Sequence, residues 1–147
     1  MSDLAFIAAL NGITITANVV RTLLQFTAPT NTRTQLTDIS VALTGLVTTQ
    51  TPAIITLCRQ GTGGTGTNLT LTKKNGTDNE TLQTAAKHSF TVEPVQNDVL
   101  LFKAISPTNG RAVFSLPEGY VVAGYPIAIR VLSVVACTAA VNIVGEE

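Results

Sequence analysis

The sequence predicts an all-β fold: one antiparallel domain, a sandwich or barrel of eight to ten short strands. Three observations predict it. Twenty-four of the 147 residues are threonine, and many alternate with aliphatic residues, as in Ile13-Thr14-Ile15-Thr16 and Asn68-Leu69-Thr70-Leu71-Thr72. Successive side chains of a strand point to opposite faces, so this alternation gives one apolar face and one hydroxyl face. Threonine suits it because a branched Cβ favours extended backbone. Turn residues also punctuate the chain at intervals of about 8–12 residues. Finally, no long amphipathic helical pattern separates the runs, which argues against a βαβ sheet. No repeat of about 20–50 residues points to a propeller or β-helix.

Residues 1–11 read as an N-terminal arm, either a short helix capped by Ser2 or Asp3 or an edge strand, ahead of a domain over 12–147. Residues 12–27 read as one strand, or two broken near Asn18, and Ala28-Pro29-Thr30-Asn31 as a turn. From Leu36 to Leu43 the alternation sets Ile39, Val41 and Leu43 against Asp38, Ser40 and Ala42, and Gly45 ends or bends the strand. A threonine-rich loop leads to Pro52. Residues 53–60 have few polar interruptions, the pattern of a central strand buried on both faces.

Residues 61–66, Gly-Thr-Gly-Gly-Thr-Gly, read as a flexible connection, and residues 67–73 as the next strand. Asn75-Gly76 is a tight-turn signal, with Lys73-Lys74 at a solvated hairpin tip. Residues 81–89 are ambiguous, with a short helix expected at 82–87. Strands follow at 90–95, 99–105 and 111–116, with turns at Pro107-Thr108-Asn109-Gly110 and Pro117-Glu118-Gly119-Tyr120. Two mostly apolar strand-like runs, 126–135 and 136–144, close the chain.

A chain of this length buries about 70% of its unfolded surface, enough to fold without disulfides or metal. Hydrophobic residues make up 45% and aromatics only 5%, so the core is aliphatic. Charged residues are 12%, about half of the usual ~25%. Nine basic residues balance nine acidic ones. That neutrality argues against nucleic-acid binding, which needs a basic stripe. A lightly charged surface repels itself weakly and favours association. Met1-Ser2-Asp3-Leu4 carries no basic n-region, so no secretory leader is expected, and the apolar run 4–10 is too short to span a bilayer. The Asn-X-Thr triplets at Asn68, Asn75 and Asn79 are then ordinary strand and turn residues, and Cys58 and Cys137 are expected as buried free thiols.

Candidate chemistry is sparse, and no enzyme is expected. Gly61, Gly63 and Gly66 satisfy G-x-G-x-x-G, but a dinucleotide site needs a helix N-terminus after it, and here a strand pattern follows. No cofactor is expected; Gly61, Thr62, Gly63, Gly64, Thr65 and Gly66 are retained as a candidate surface-contact loop. His88 is the single histidine, with no nucleophile elbow or ligand spacing around it, so neither a hydrolytic triad nor a zinc site is expected. Glu93 and Asp98 flank a turn and resemble a glycosidase pair or a calcium loop, but too few oxygens converge for calcium, and they read as solvated turn residues. Tyr120 and Tyr125 are the only tyrosines. They are candidate ligand-facing aromatics for a sugar, or edge residues with wet hydroxyls.

Several stretches together carry a resemblance: residues 38–45 (Asp-Ile-Ser-Val-Ala-Leu-Thr-Gly), residues 52–62 from Pro52 through Cys58 to Thr62, Val92-Glu93-Pro94, and Pro126-Ile127-Ala128-Ile129-Arg130 with Glu146 near the end. Their order resembles small virion proteins of tailed bacteriophages, in particular jelly-roll-like head decoration, or cement, proteins. The resemblance spans about residues 36–147. It implies a jelly-roll-like β-sandwich that assembles, often as a homotrimer, on the outside of a capsid. The partners it implies are further copies of the chain and the major capsid protein, with no nucleic acid and no membrane. The location it implies is the virion, assembled in the host cytoplasm. No catalytic residue comes with it. The alternative is a fibre or receptor-binding sandwich that takes carbohydrate.

Overall fold

A computed structural model describes residues 4–61, 63–77, 79–122 and 125–147, with backbone alone for 116–121. The fold is an all-β sandwich of two antiparallel sheets. Its strands are β1 (Ala5–Ile15), β2 (Arg21–Thr27), β3 (Thr34–Thr44), β4 (Ala53–Gln60), β5 (Thr65–Leu69), β6 (Thr72–Lys73), β7 (Ala85–Val92), β8 (Gln96–Ile105), β9 (Arg111–Val122), β10 (Ile127–Leu132) and β11 (Cys137–Glu146). The first sheet has the order β6-β1-β11-β3-β9 and the second β5-β7-β2-β10-β4-β8. With β5, β6 and β7 set aside, the frames are β1-β11-β3-β9 and β2-β10-β4-β8. That interleaving is the strand order of an eight-stranded jelly roll. Residues 61–95 are an insertion between its fourth and fifth frame strands.

The alternation read from the sequence becomes the core. In β11 the odd-numbered residues Cys137, Ala139, Val141 and Ile143 are buried, and in β3 Leu36, Ile39, Val41 and Leu43 are buried opposite them. From the second sheet, Leu24, Phe26, Ile55, Leu57, Ile127, Ile129 and Val131 meet that layer. Phe6 and Phe26 join the two sheets, with ring centroids 6.2 Å apart. Residues 53–60 form a central strand as expected, with β10 on one side and β8 on the other.

Five expectations are corrected. Residues 1–11 are no separate arm from Ala5 onward: they begin β1, which pairs with β11, because Phe6 and Ala8 supply core side chains. Residues 82–87 form no helix; Ala85–Lys87 pair with β2, and the ladder with β5 outweighs the weak helical pattern. Residues 67–73 are two strands, because the chain leaves β7 after Leu69 and joins β1 of the other sheet at Thr72. Residues 117–120 lie within β9: Ser115 pairs with Asp38 and Tyr120 with Leu36, so 116–119 bulge opposite Thr37 alone. The strand count is eleven among the described residues, not eight to ten, and the excess is the insertion.

Candidate functional site

The insertion decides what the second sheet presents. β7 lies beyond β2, and β8 lies beyond β4, so the chain between them passes β2, β10 and β4. It does so on the outward face. β7 pairs with β2 only through Ala85–Lys87; Ser89 then takes a left-handed φ of 51° and the strand continues to Val92 paired with β5. Gly61, Gly63 and Gly64 lie where the chain crosses the same sheet in the opposite sense, from β4 to β5. The two crossings are tied side by side: the Gly61 amide donates to the Val95 carbonyl at 2.8 Å, and Thr65 pairs with Val92. Together they form a two-stranded ribbon.

What lies under the ribbon explains its anchoring. Thr22, Gln25, Cys58, Gln60 and Ala128 occupy outward register positions, yet all are buried. The polar ones are satisfied by one another and by the ribbon. Glu93 accepts from the Thr22 amide at 3.1 Å on each carboxylate oxygen and from Thr22 Oγ1 at 2.5 Å. Gln60 Nε2 donates to Thr22 Oγ1 at 2.9 Å, and Gln25 Nε2 donates to Gln60 Oε1 at 2.9 Å. Arg130 donates from Nη1 to Gln96 Oε1 at 2.8 Å, where β8 begins. A second carboxylate repeats the arrangement: Glu147 accepts from the amides of Gln83 and Thr84 at 2.7 and 2.8 Å and from Thr84 Oγ1 at 2.5 Å.

Two glycines of the segment, Gly64 and Gly66, lie close against the ribbon. A Cβ on Gly64, whose φ is +96°, would lie 2.8 Å from Pro94 Cγ and from the Val92 carbonyl. A Cβ on Gly66 would lie 2.9 Å from the Phe90 ring. Gly63, Gly64 and Thr65 are exposed, and Thr62 lies outside the described residues. Tyr125 is 55% exposed, beside Pro126, whose carbonyl accepts from the Gln60 amide at 2.9 Å. It therefore sits at the same end of the sheet as the start of the glycine segment. Tyr120 pairs with Leu36 in the backbone ladder, and its side chain lies outside the described atoms.

The reactive side chains are spread out or occupied. His88 is half-buried and its Nδ1 is 2.8 Å from Ser89 Oγ, the neighbouring residue. Glu93 is held by Thr22, while Asp98 is exposed on β8. Cys58 and Cys137 are both free and buried, on different sheets. Burial pushes the Cys58 thiol up to about 11, with Arg130 opposing the shift. Burial also raises Cys137, with a hydrogen bond from Ser133 acting the other way. Among the described residues no three His, Cys, Asp or Glu side chains gather as metal ligands.

Among the described residues two apolar surfaces remain, and sequence reading had named neither Leu46 nor Phe102 as a contact residue. One is the end of the sandwich where the β1–β2, β3–β4, β8–β9 and β10–β11 connections meet. The Asn18 amide donates to the Ser133 carbonyl at 2.7 Å, the Gly45 amide to the Thr108 carbonyl at 3.0 Å, and Thr108 Oγ1 to the Val47 carbonyl at 3.2 Å. At this apex Leu46 is fully exposed, and Val19, Val47, Leu132 and Val134 are 40–58% exposed. A cleft of about 480 Å3 lies beside Leu46, lined also by Ile15, Val47, Ala136 and Cys137. The other surface runs along the edge strand β8, where Val99 and Phe102 are exposed near Val95 of the ribbon. The signal for the apex was present in the sequence as connections without charge. Comparison with protein-family models, with curated proteins and with solved structures finds no match.

Proposed function

We propose that the chain is a structural virion protein, a jelly-roll module that decorates and stabilises a bacteriophage capsid through protein–protein contacts. The observation that carries this reading is the set of exposed apolar side chains at the apex around Leu46 and along the β8 edge around Phe102. Large apolar patches on soluble proteins mark contact sites. A decoration protein has to meet two neighbours, further copies of itself and the shell. The carboxylates of Glu93 and Glu147 are committed to structural hydrogen bonds. The sequence resemblance supplies the capsid; trimerisation and the virion location come from the same source. Mixing the purified protein with capsids prepared without it, and sedimenting them, tests this. Saturable co-sedimentation supports the reading, and absence of binding removes it.

A second reading has one observation in its favour. Tyr125 is exposed at the end of the second sheet where the glycine segment begins, a placement that offers an aromatic ring to a sugar face. A fibre or receptor-binding module would use it with residues 61–66. Glycan-array binding lost in Tyr125→Ala favours this reading; no glycan binding removes it.

A further inference from the structure

We propose that the apex is the surface through which copies of this chain meet each other, each copy setting Leu46 into the cleft of a neighbour. This deepens the assembly reading and rests on the part of it that has the chain contacting itself; it does not require a capsid.

The charge pattern selects the occupant. The four connections that make the apex, residues 16–20, 45–52, 106–110 and 133–136, contain no Asp, Glu, Lys, Arg or His. Identical surfaces brought together oppose like charges wherever they carry net charge, and such juxtaposition is strongly unfavourable. An uncharged surface meets its own copy without that cost. Arg21 and Arg111 open the strands that follow two of these connections; Arg111 donates from Nε to Ser40 Oγ at 3.4 Å, away from the connections themselves. The β8 surface differs, because the exposed Asp98 adjoins Val99 there. A surface that carries a charge suits a different partner with a complementary one.

Shape selects the same occupant. Leu46 projects fully into solvent directly beside an apolar cleft of about 480 Å3, so one tip carries both a knob and a hole. Two or more copies can satisfy each other with nothing added, either across a two-fold axis or head to tail around a ring. A lipid surface fits less well, since interfacial insertion favours aromatic side chains, and residues 16–20, 45–52, 106–110 and 133–136 have none.

Sedimentation velocity over a concentration series tests the proposal, with wild type, Leu46→Ser, Leu46→Ser/Val47→Ser, and Tyr125→Ser at the far end as control. Leu46 and Val47 are exposed, so the thermal unfolding of these variants should match wild type. The expected result is a self-associating wild type and control, with the association midpoint moved at least about tenfold higher in the double variant. An oligomer that survives the double substitution overturns the proposal. A wild type that stays monomeric at every concentration also overturns it. Flotation of the wild type, but not the double variant, with phosphatidylcholine vesicles overturns it in favour of lipid. Failure to bind capsids, with the apex-dependent oligomer intact, overturns the capsid function and leaves this inference standing.

Discussion

Glu93 and Thr22 lie 71 residues apart in sequence, and the carboxylate of one accepts both the amide and the hydroxyl of the other. That contact fastens the ribbon across the outer face of the second sheet. Hydrogen bonds to charged groups contribute about 1.5–3 kcal/mol when part-buried. Glu93→Gln is expected to lower stability by about 1–2 kcal/mol in chemical denaturation, and Thr22→Val by a similar amount. In a double-mutant cycle the two losses should overlap rather than add. Full additivity would show that the pair does not act as one clasp.

Glu147 does for Thr84 what Glu93 does for Thr22. Glu147→Gln is expected to leave global unfolding close to wild type while raising amide hydrogen exchange at Gln83 and Thr84. Unchanged exchange at those two amides would contradict the assignment.

The glycines of the 61–66 segment should separate by position. Gly64→Ala places a methyl against Pro94 and the Val92 carbonyl at a left-handed φ, and should cost about 1–3 kcal/mol. Gly63→Ala meets nothing within 4 Å and should lie within about 0.5 kcal/mol of wild type. Equal tolerance at both positions, read by thermal unfolding, would restore the picture of a loose loop.

The thiols give a pH signature. Cys58 has a folded pKa raised from 9.0 to about 11 by burial. Between those values the unfolded chain loses its thiol proton first, so stability is fully present below about pH 9 and falls as pH rises towards 11. Cys58→Ala should flatten that decline. At pH 8 neither Cys58 nor Cys137 should react with a thiol reagent until denaturant opens the fold.

Lys103 closes the side of the sandwich between β8 and β9. Its Nζ lies 4.9 Å above the Phe114 ring and donates to the Val113 carbonyl. An inward-pointing charge on an edge strand discourages pairing with other chains. Lys103→Ala is expected to change unfolding by no more than about 1 kcal/mol. It should nonetheless speed aggregation in light scattering; an unchanged aggregation rate would remove this role.

The parts legible in the sequence were those set by local periodicity. The alternation in residues 36–43 became β3, and the apolar run 53–60 became a central strand, because burial on one face or two leaves a direct imprint. The insertion was illegible for the opposite reason. Residues 85–87 are held in a strand by Gln25, Phe26 and Thr27 of β2, and Gly64 is glycine because Pro94 lies against it. These are contacts between distant segments with no local pattern. Glu93 looked like turn chemistry since nothing nearby in sequence announces Thr22. Tyr125 was found exposed, as either reading of it required. The charge-free apex was visible residue by residue, but only the strand order brings its four connections together.

The most direct test of the assembly account is a cryo-electron microscopy reconstruction of capsids prepared without this protein and then saturated with it. The account predicts jelly-roll density on the outer surface, grouped so that copies touch through residues 46–47. Capsids without added density, at protein concentrations where the apex variants and wild type differ in solution, would contradict it.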